Sequence, residues 1–370
     1  MDNIETEAGI LNRIRIDLNK KMDQEKFHKI LFLASTDGAH THRSGYTLLT
    51  EYLPEGDLIE VNRNSANTIL KRLSDALCSR ISLSSWCRRS SFVLELKALM
   101  YIKEKKPEIV HTLWGDRDIG FIDYFRKGSK FKLVCSVHNV ASMLDETFNF
   151  PKRFKSFDAL ILMSKVQKPY FEKIGVPAEK IHVVLHGIDC NYFKPAPQLK
   201  DTPFTILSVG NWQRNFNMLS EICRQLGKVS NIKVRIISLE KFKHLYEGMP
   251  NVVFQSRLSD EELLQAYQQA SCFLMTARDA TANNALLEAL ACGLPIVSER
   301  VGGIPEYVNE KCALFCNDVD SFVGNIIKLS TSPQLQKEMS LAARQRAEQL
   351  DWKESAKEMR EIYKSLIDVV

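Results

Sequence analysis

The sequence predicts an α/β protein made of two doubly wound, Rossmann-like domains facing each other across a cleft. Three observations carry this expectation. Short apolar runs recur along the chain, most of them closed by a turn or polar residue. Helical patterns separate them, the alternation expected of βαβ units whose parallel strands are covered on both faces. The alternation breaks once, at a proline-rich stretch near Pro195, and then restarts.

Size and composition agree. The chain has 370 residues, room for two domains. Its 45% hydrophobic and 26% charged content is that of an ordinary globular protein. No apolar run approaches the roughly 20 residues needed to cross a bilayer. The first 28 residues are polar and charged, without the apolar centre of a secretory signal, so a cytoplasmic protein is expected. Nine cysteines without a CxxC pair fit free thiols in a reducing compartment.

In chain order, residues 1–27 read as a charged helical extension. Residues 29–35 form a first buried strand that ends in Thr36, Asp37 and Gly38, and a helical pattern covers 45–53. Residues 61–92 hold Arg63, Lys71, Arg72, Arg80, Arg88 and Arg89 against Asp75 alone, a net charge equal to the +5 of the whole chain. Ile69, Leu70, Leu73, Leu77, Ile81 and Trp86 are interleaved at near-helical spacing. Such a basic amphipathic helix either lies on an anionic membrane surface, as a peripheral protein on the inner face, or turns its apolar side into the core. Further strands are expected at 107–113, 132–137, 159–163 and 181–185. A helix ending at Ile174 stops at Gly175. The cluster shows neither an aromatic platform nor a nucleic-acid motif, so no nucleic-acid partner is expected.

After the break, strands are expected at 205–209, 233–237, 252–254, 272–275 and 295–297. Helices are expected over 260–270, 283–291, 333–349 and 351–368. The resulting domains are 28–195 and 196–350, with 351–370 as a helix that packs back on the first domain. Ligands of open parallel sheets sit at the carboxyl ends of strands, so the cleft is the expected site.

The chemistry concentrates in residues 276–306. Met275 ends a strand, and a polar loop leads into a helix that Gly293 terminates. Thr281 is the expected N-cap. The first-turn amides near Asn283 and Asn284 then make a diphosphate site. Glu288 lies about a turn further on, where a carboxylate can hold two vicinal ribose hydroxyls. Gly302 and Gly303 follow the next strand, where glycine lets backbone approach a ligand. Periodicity alone equally allows a well-capped helix with Glu288 at the surface.

The run 284–297 together with Gly302-Gly-Ile-Pro-Glu306 resembles the signature of the family 4 retaining glycosyltransferases, which have the GT-B fold. Residues 157–164, 175–181, 186–189, 193–195, 251–254 and 258–263, with Tyr267 and Ala270, resemble further stretches of that family in order and spacing. The resemblance covers about residues 130–310 well and 28–130 weakly. It implies transfer of a hexose-type sugar from a nucleotide-diphosphate donor, with retention and without a metal or other cofactor, to a glycan, lipid-linked or small-molecule acceptor. It also implies roles for single residues. Glu288 matches the carboxylate that holds the donor ribose, His138 a histidine near the transferred sugar, and Gly210 the glycine that opens the phosphate loop.

Two departures stand out. The family's other motif Glu, eight positions before Glu288, is Ala280 here, with Asp279 beside it, which marks a subgroup. The family's Arg after the loop glycine is Asn211, so Arg214 is the expected diphosphate cation. On the acceptor side, Asp37, His40, His42, Arg43 and Trp114 follow strand ends in the first domain. A sugar-nucleotide epimerase or hydrolase of the same shape, or a catalytically degenerate binding protein, are the alternatives.

Overall fold

The computed structural model describes residues 30–36, 43, 45–63, 69–196 and 203–368. The extension over 1–27 and the candidates Asp37, His40 and His42 lie outside the described residues.

Two six-stranded sheets form, and every strand pair in them is parallel. The first sheet contains β1 (Ile30–Thr36), β2 (Gly56–Asn62), β3 (Ile109–Thr112), β4 (Lys132–Val137), β5 (Ala159–Leu162) and β6 (Ile181–Val183) in the order β2-β1-β3-β4-β5-β6. The second contains β7 (Phe204–Val209), β8 (Ile232–Ile237), β9 (Val252–Gln255), β10 (Cys272–Met275), β11 (Ile296–Glu299) and β12 (Ala313–Cys316) in the order β12-β11-β10-β7-β8-β9. Strand order reverses between β1 and β3 and between β7 and β10. A doubly wound sheet leaves its ligand crevice at that reversal.

The described helices of eight residues or more are α1 (Ile69–Ile81), α2 (Arg89–Lys105), α3 (Phe216–Leu226), α4 (Asp260–Gln268), α5 (Asn284–Ala291), α6 (Val319–Ser330), α7 (Pro333–Gln349) and α8 (Trp352–Ile367). The central strands read as near-continuous apolar runs because helices cover both faces: β1, β5, β10 and β11 are buried almost throughout. Separate apolar clusters line the two faces of each sheet.

The chain returns to the first sheet at its end. Trp352, Ala356, Met359 and Tyr363 of α8 pack with Ile30, Phe32 and Tyr46. A Cβ on Gly187 would lie 2.4 Å from the Trp352 ring, so that glycine admits the helix. Arg360 adds an ion pair to Glu55 at 2.7 Å.

Several expectations change. Strands β2 and β12 carry no expectation in the sequence reading. β2 is an edge strand whose Asp57, Leu58, Glu60 and Asn62 stay exposed, so no long apolar run marks it. The pattern over 45–53 forms a 3₁₀ segment, Tyr46–Tyr52. The segment 61–92 is not one helix: α1 ends at Ile81 and α2 begins at Arg89. Nor do the described leucine and isoleucine side chains of α1 turn into the core. Asp75 and Cys78 are buried, whereas Leu73, Leu77 and Ile81 are exposed.

Candidate functional site

The carboxyl edges of the two sheets meet. The Thr281 hydroxyl donates to the His138 carbonyl at 2.5 Å, and the Ser142 hydroxyl to Asp279 at 2.6 Å. The Lys165 amide donates to Glu306 at 2.9 Å, and the Tyr307 hydroxyl to the Met163 carbonyl at 2.7 Å. The Trp86 and Trp212 rings stand edge to face 5.8 Å apart across the same seam.

On the second sheet the site starts where β7 ends. Gly210 has φ +104, a conformation that favours glycine. A Cβ there would sit 3.1 Å from Arg214 Nη2, so the glycine also leaves room for the guanidinium. The loop is tied to the β10 exit: the Arg278 amide donates to the Gln213 carbonyl and the Asn215 amide to the Thr276 carbonyl, both at 2.9 Å. These bonds bring the carboxyl ends of β7 and β10 together at the reversal point.

Arg214 is folded inward and only 6% exposed. Its Nη2 donates to the Val209 carbonyl and to Asn283 Oδ1, both at 3.1 Å, and Nη1 reaches the Trp212 carbonyl at 3.3 Å. Its Nε is buried and has no hydrogen-bond partner among the described residues. Burial pushes its pKa down to about 10, which leaves it cationic at neutral pH. No carboxylate among the described residues pairs with it within 4.0 Å. Glu299, at the end of β11, is the near acid that the sequence reading misses. Its Oε2 accepts the Ala277 amide at 2.9 Å, and burial raises its pKa. A carboxylate at a strand end beside a cation-bearing loop is the signal that could have found it.

The N-cap of α5 is Asn283, not Thr281. Asn283 Oδ1 accepts the Leu286 amide at 3.1 Å. Asparagine is a stronger cap than threonine, and Thr281 is committed across the cleft to His138. Asn284 is the first residue of α5. Glu288 is 3% exposed, and its Oε2 accepts the Tyr267 hydroxyl at 2.7 Å. The surface reading of Glu288 therefore fails. Burial and the Glu288 charge raise the Tyr267 pKa well above the usual phenol range.

Gly302 and Gly303 are closely hemmed in by protein. A Cβ on Gly302 would lie 2.2 Å from the Ala280 carbonyl and 2.4 Å from Asp279 Oδ1, and one on Gly303 would lie 2.6 Å from Ser164 Oγ. The close approach they permit is by the 279–281 loop and the first domain. Asp279 is likewise engaged by Ser142 and by the Ala280 amide at 2.7 Å. Ala280 itself is buried.

From the first sheet, His138 is half-buried at the end of β4. Its amide donates to Asp116 Oδ2 at 2.6 Å, and its Nε2 lies 2.8 Å from the Leu113 carbonyl. A carbonyl only accepts, so Nε2 carries the proton and Nδ1 of the neutral ring is an acceptor. Desolvation, reinforced by His186, holds its pKa well below the usual histidine range. Trp114 lies 4.3 Å from the His138 ring, with the Arg117 guanidinium 4.3 Å from the Trp114 ring. Trp114 thus supports the His138 ring. The Arg43 guanidinium lies 5.0 Å over the ring of Tyr192, in the connection between the domains.

Comparison with known proteins fits this geometry. Residues 192–346 match the family described as Glycosyl transferases group 1. The chain is 33% identical over 127 residues to sulfoquinovosyl transferase SQD2 of Arabidopsis thaliana, a stretch covering 33% of this chain and 25% of that protein. It is 28% identical over 350 residues to WcaL of Escherichia coli (strain K12), named for colanic acid biosynthesis, covering 82% of each. Among solved structures, Anabaena Alr3699/HepE in complex with UDP and glucose has a TM-score of 0.66 at 14% identity, covering 91% of this chain and 100% of that one. That likeness establishes the two-domain GT-B fold.

Proposed function

On the premise that the chain is a glycosyltransferase carrying a group 1 domain over residues 192–346, we propose that it transfers a hexose-type sugar, with retention, from a nucleoside diphosphate sugar. The observation that carries this reading is Arg214. A cation taken out of water without an anionic partner is unfavourable, and a bound diphosphate supplies that partner. The amides of α5 and its Asn283 cap lie beside it, a second source of positive potential.

In this reading the pyrophosphate lies between Gly210, Arg214 and the start of α5, and the Glu288 carboxylate takes the ribose hydroxyls. His138 Nδ1 accepts from a hydroxyl of the transferred sugar. The bond from the anomeric carbon to the phosphate oxygen breaks, and Arg214 and the helix amides stabilise the charge that develops on the phosphate. The acceptor oxygen bonds to the anomeric carbon from the same face and passes its proton to the departing phosphate oxygen. No protein group needs to act as base. Trp114 and Arg43 remain acceptor-side candidates, and the acceptor is a glycan, lipid-linked or small-molecule alcohol. An anionic membrane surface is the proposed partner of residues 61–92. UDP in the structure of Anabaena HepE makes UDP the first nucleotide to test.

The test is a melting-temperature series with UDP, GDP and ADP and their sugars. Binding to the folded state raises the melting point with concentration. A shift with one nucleotide supports the reading, and none with any of them contradicts it. Fast donor cleavage without acceptor would favour a hydrolase or epimerase.

A further inference from the structure

We propose that the outward faces of α1 and α2 form a docking surface for an anionic lipid bilayer. An amphipathic helix ordinarily buries its apolar side. Helix α1 does the reverse, with Leu73, Leu77 and Ile81 at 65%, 60% and 51% exposure. Helix α2 packs beside it and exposes Val93, Leu96 and Met100. Six of the fifteen exposed large apolar side chains among the described residues thus lie on these two helices, a concentration that marks an interaction surface.

Charge identifies the partner. Arg72, Arg80, Arg88, Arg89, Lys97 and Lys103 are exposed on or between the two helices. The acids turn inward: Asp75 accepts the Arg89 amide at 2.8 Å, and Glu95 accepts the Gly120 and Phe121 amides at 2.8 and 2.7 Å. Glu104 is the exposed acid of the pair, and Lys105 lies 2.8 Å from it. Leucine and isoleucine flanked by cations, with Glu104 the one outward acid of the two helices among the described residues, complement acyl chains beneath anionic headgroups.

The position of this face matters for the cleft, and that consequence rests on the reading of the cleft given above. The turn after α1 carries Trp86 to Trp212, and the Ser84 hydroxyl donates to the Asp116 carbonyl. Asp116 in turn holds the His138 amide. A bilayer on α1 and α2 therefore lies beside the rim of the cleft.

The experiment is co-sedimentation of the full chain with phosphatidylcholine vesicles, with and without phosphatidylglycerol. Wild type is expected to bind the phosphatidylglycerol vesicles and to be released by salt. Leu73→Glu/Leu77→Glu and Arg72→Glu/Arg80→Glu are each expected to weaken binding at least about tenfold. Should the leucine variant misfold, the arginine variant and the wild-type salt series still decide. Equal binding by wild type and both variants overturns the proposal. So does absence of vesicle binding, including the case where Leu73→Glu/Leu77→Glu instead dissociates a dimer. The nucleotide melting shift on the same samples separates the two readings. Vesicle binding without that shift keeps the surface and removes the donor site, and the shift without vesicle binding does the opposite.

Discussion

Arg214 and Asn283 meet through one oxygen: Asn283 Oδ1 accepts from Arg214 Nη2 and from the Leu286 amide, each at 3.1 Å. The contact joins the loop after β7 to the first turn of α5. It places a buried cation beside the helix end whose amides are left without intrahelical partners.

Replacing Arg214 by Met is expected to separate stability from function. The unliganded melting point should stay within a few degrees of wild type or rise, because the variant no longer desolvates an unpaired charge. Transfer should fall at least ~30-fold, about 2 kcal/mol of barrier. Steady-state rates and melting curves on the same preparation check both halves.

Removing the cap has a different signature. Asn283→Ala should cost about 1 kcal/mol of stability through loss of the N-cap. It should also weaken donor affinity, because Arg214 loses a fixing partner. Urea denaturation and donor titration measure the two effects.

Tyr267→Phe leaves the buried Glu288 without the hydroxyl that donates to it at 2.7 Å. A cost of about 1–3 kcal/mol in stability is expected, with a raised KM for donor as Glu288 loses its fixed orientation. Glu288→Gln should keep the fold and lose donor affinity. A normal KM in both variants would remove Glu288 from the site.

Gly302→Ala should be severe for a side chain so small. The position has φ +52, and its Cβ would meet the Ala280 carbonyl at 2.2 Å. The left-handed backbone alone costs about 1–2 kcal/mol without glycine, and the 279–281 loop must also shift. A lowered melting point together with reduced transfer is the expected outcome.

Acid should weaken the fold through its buried histidines. His111 is held between Tyr363 at 2.6 Å and Ser136 at 2.8 Å, and burial pushes its pKa down to about 3. His138 is shifted in the same direction. Below about pH 6.5 the unfolded chain takes up protons that the folded chain does not. Stability is therefore fully present above that pH and is lost as pH falls toward 3. The slope is about 1.4 kcal/mol per pH unit for each such histidine. Burial raises the pKa of Glu95 to about 8 and of Asp116 to about 6, and these acids add stability as pH falls, so they offset the histidines between pH 7 and pH 5. The histidine contribution is read by difference: in urea unfolding at pH 7 and pH 5, His111→Gln should lose less stability on acidification than wild type, by about one proton in slope.

The sequence reveals much of this architecture because buried parallel strands are apolar on both faces. Residues 29–35, 132–137 and 272–275 needed no further context. It fails where a segment is stabilised by its neighbours. The edge strand β2 alternates with exposed acids, and α1 shows Leu73, Leu77 and Ile81 to solvent, a choice between two alternatives that periodicity leaves open. In the site, Glu288 stood out by motif, and Arg214 as the nearby cation where the family's Arg position is Asn211. The cap at Asn283, the acid Glu299 and the filling of the space at Gly302 arise from contacts between distant segments, which no local pattern encodes. The cleft itself is closed by bonds such as Thr281 to the His138 carbonyl, between residues in different domains.

The most direct measurement is calorimetric titration of UDP, GDP and ADP into wild type and Arg214→Met. One nucleotide should bind wild type, and the variant should bind it at least ~30-fold more weakly, about 2 kcal/mol. Equal affinity in the two proteins, or no binding of any of the three to wild type, would contradict the account.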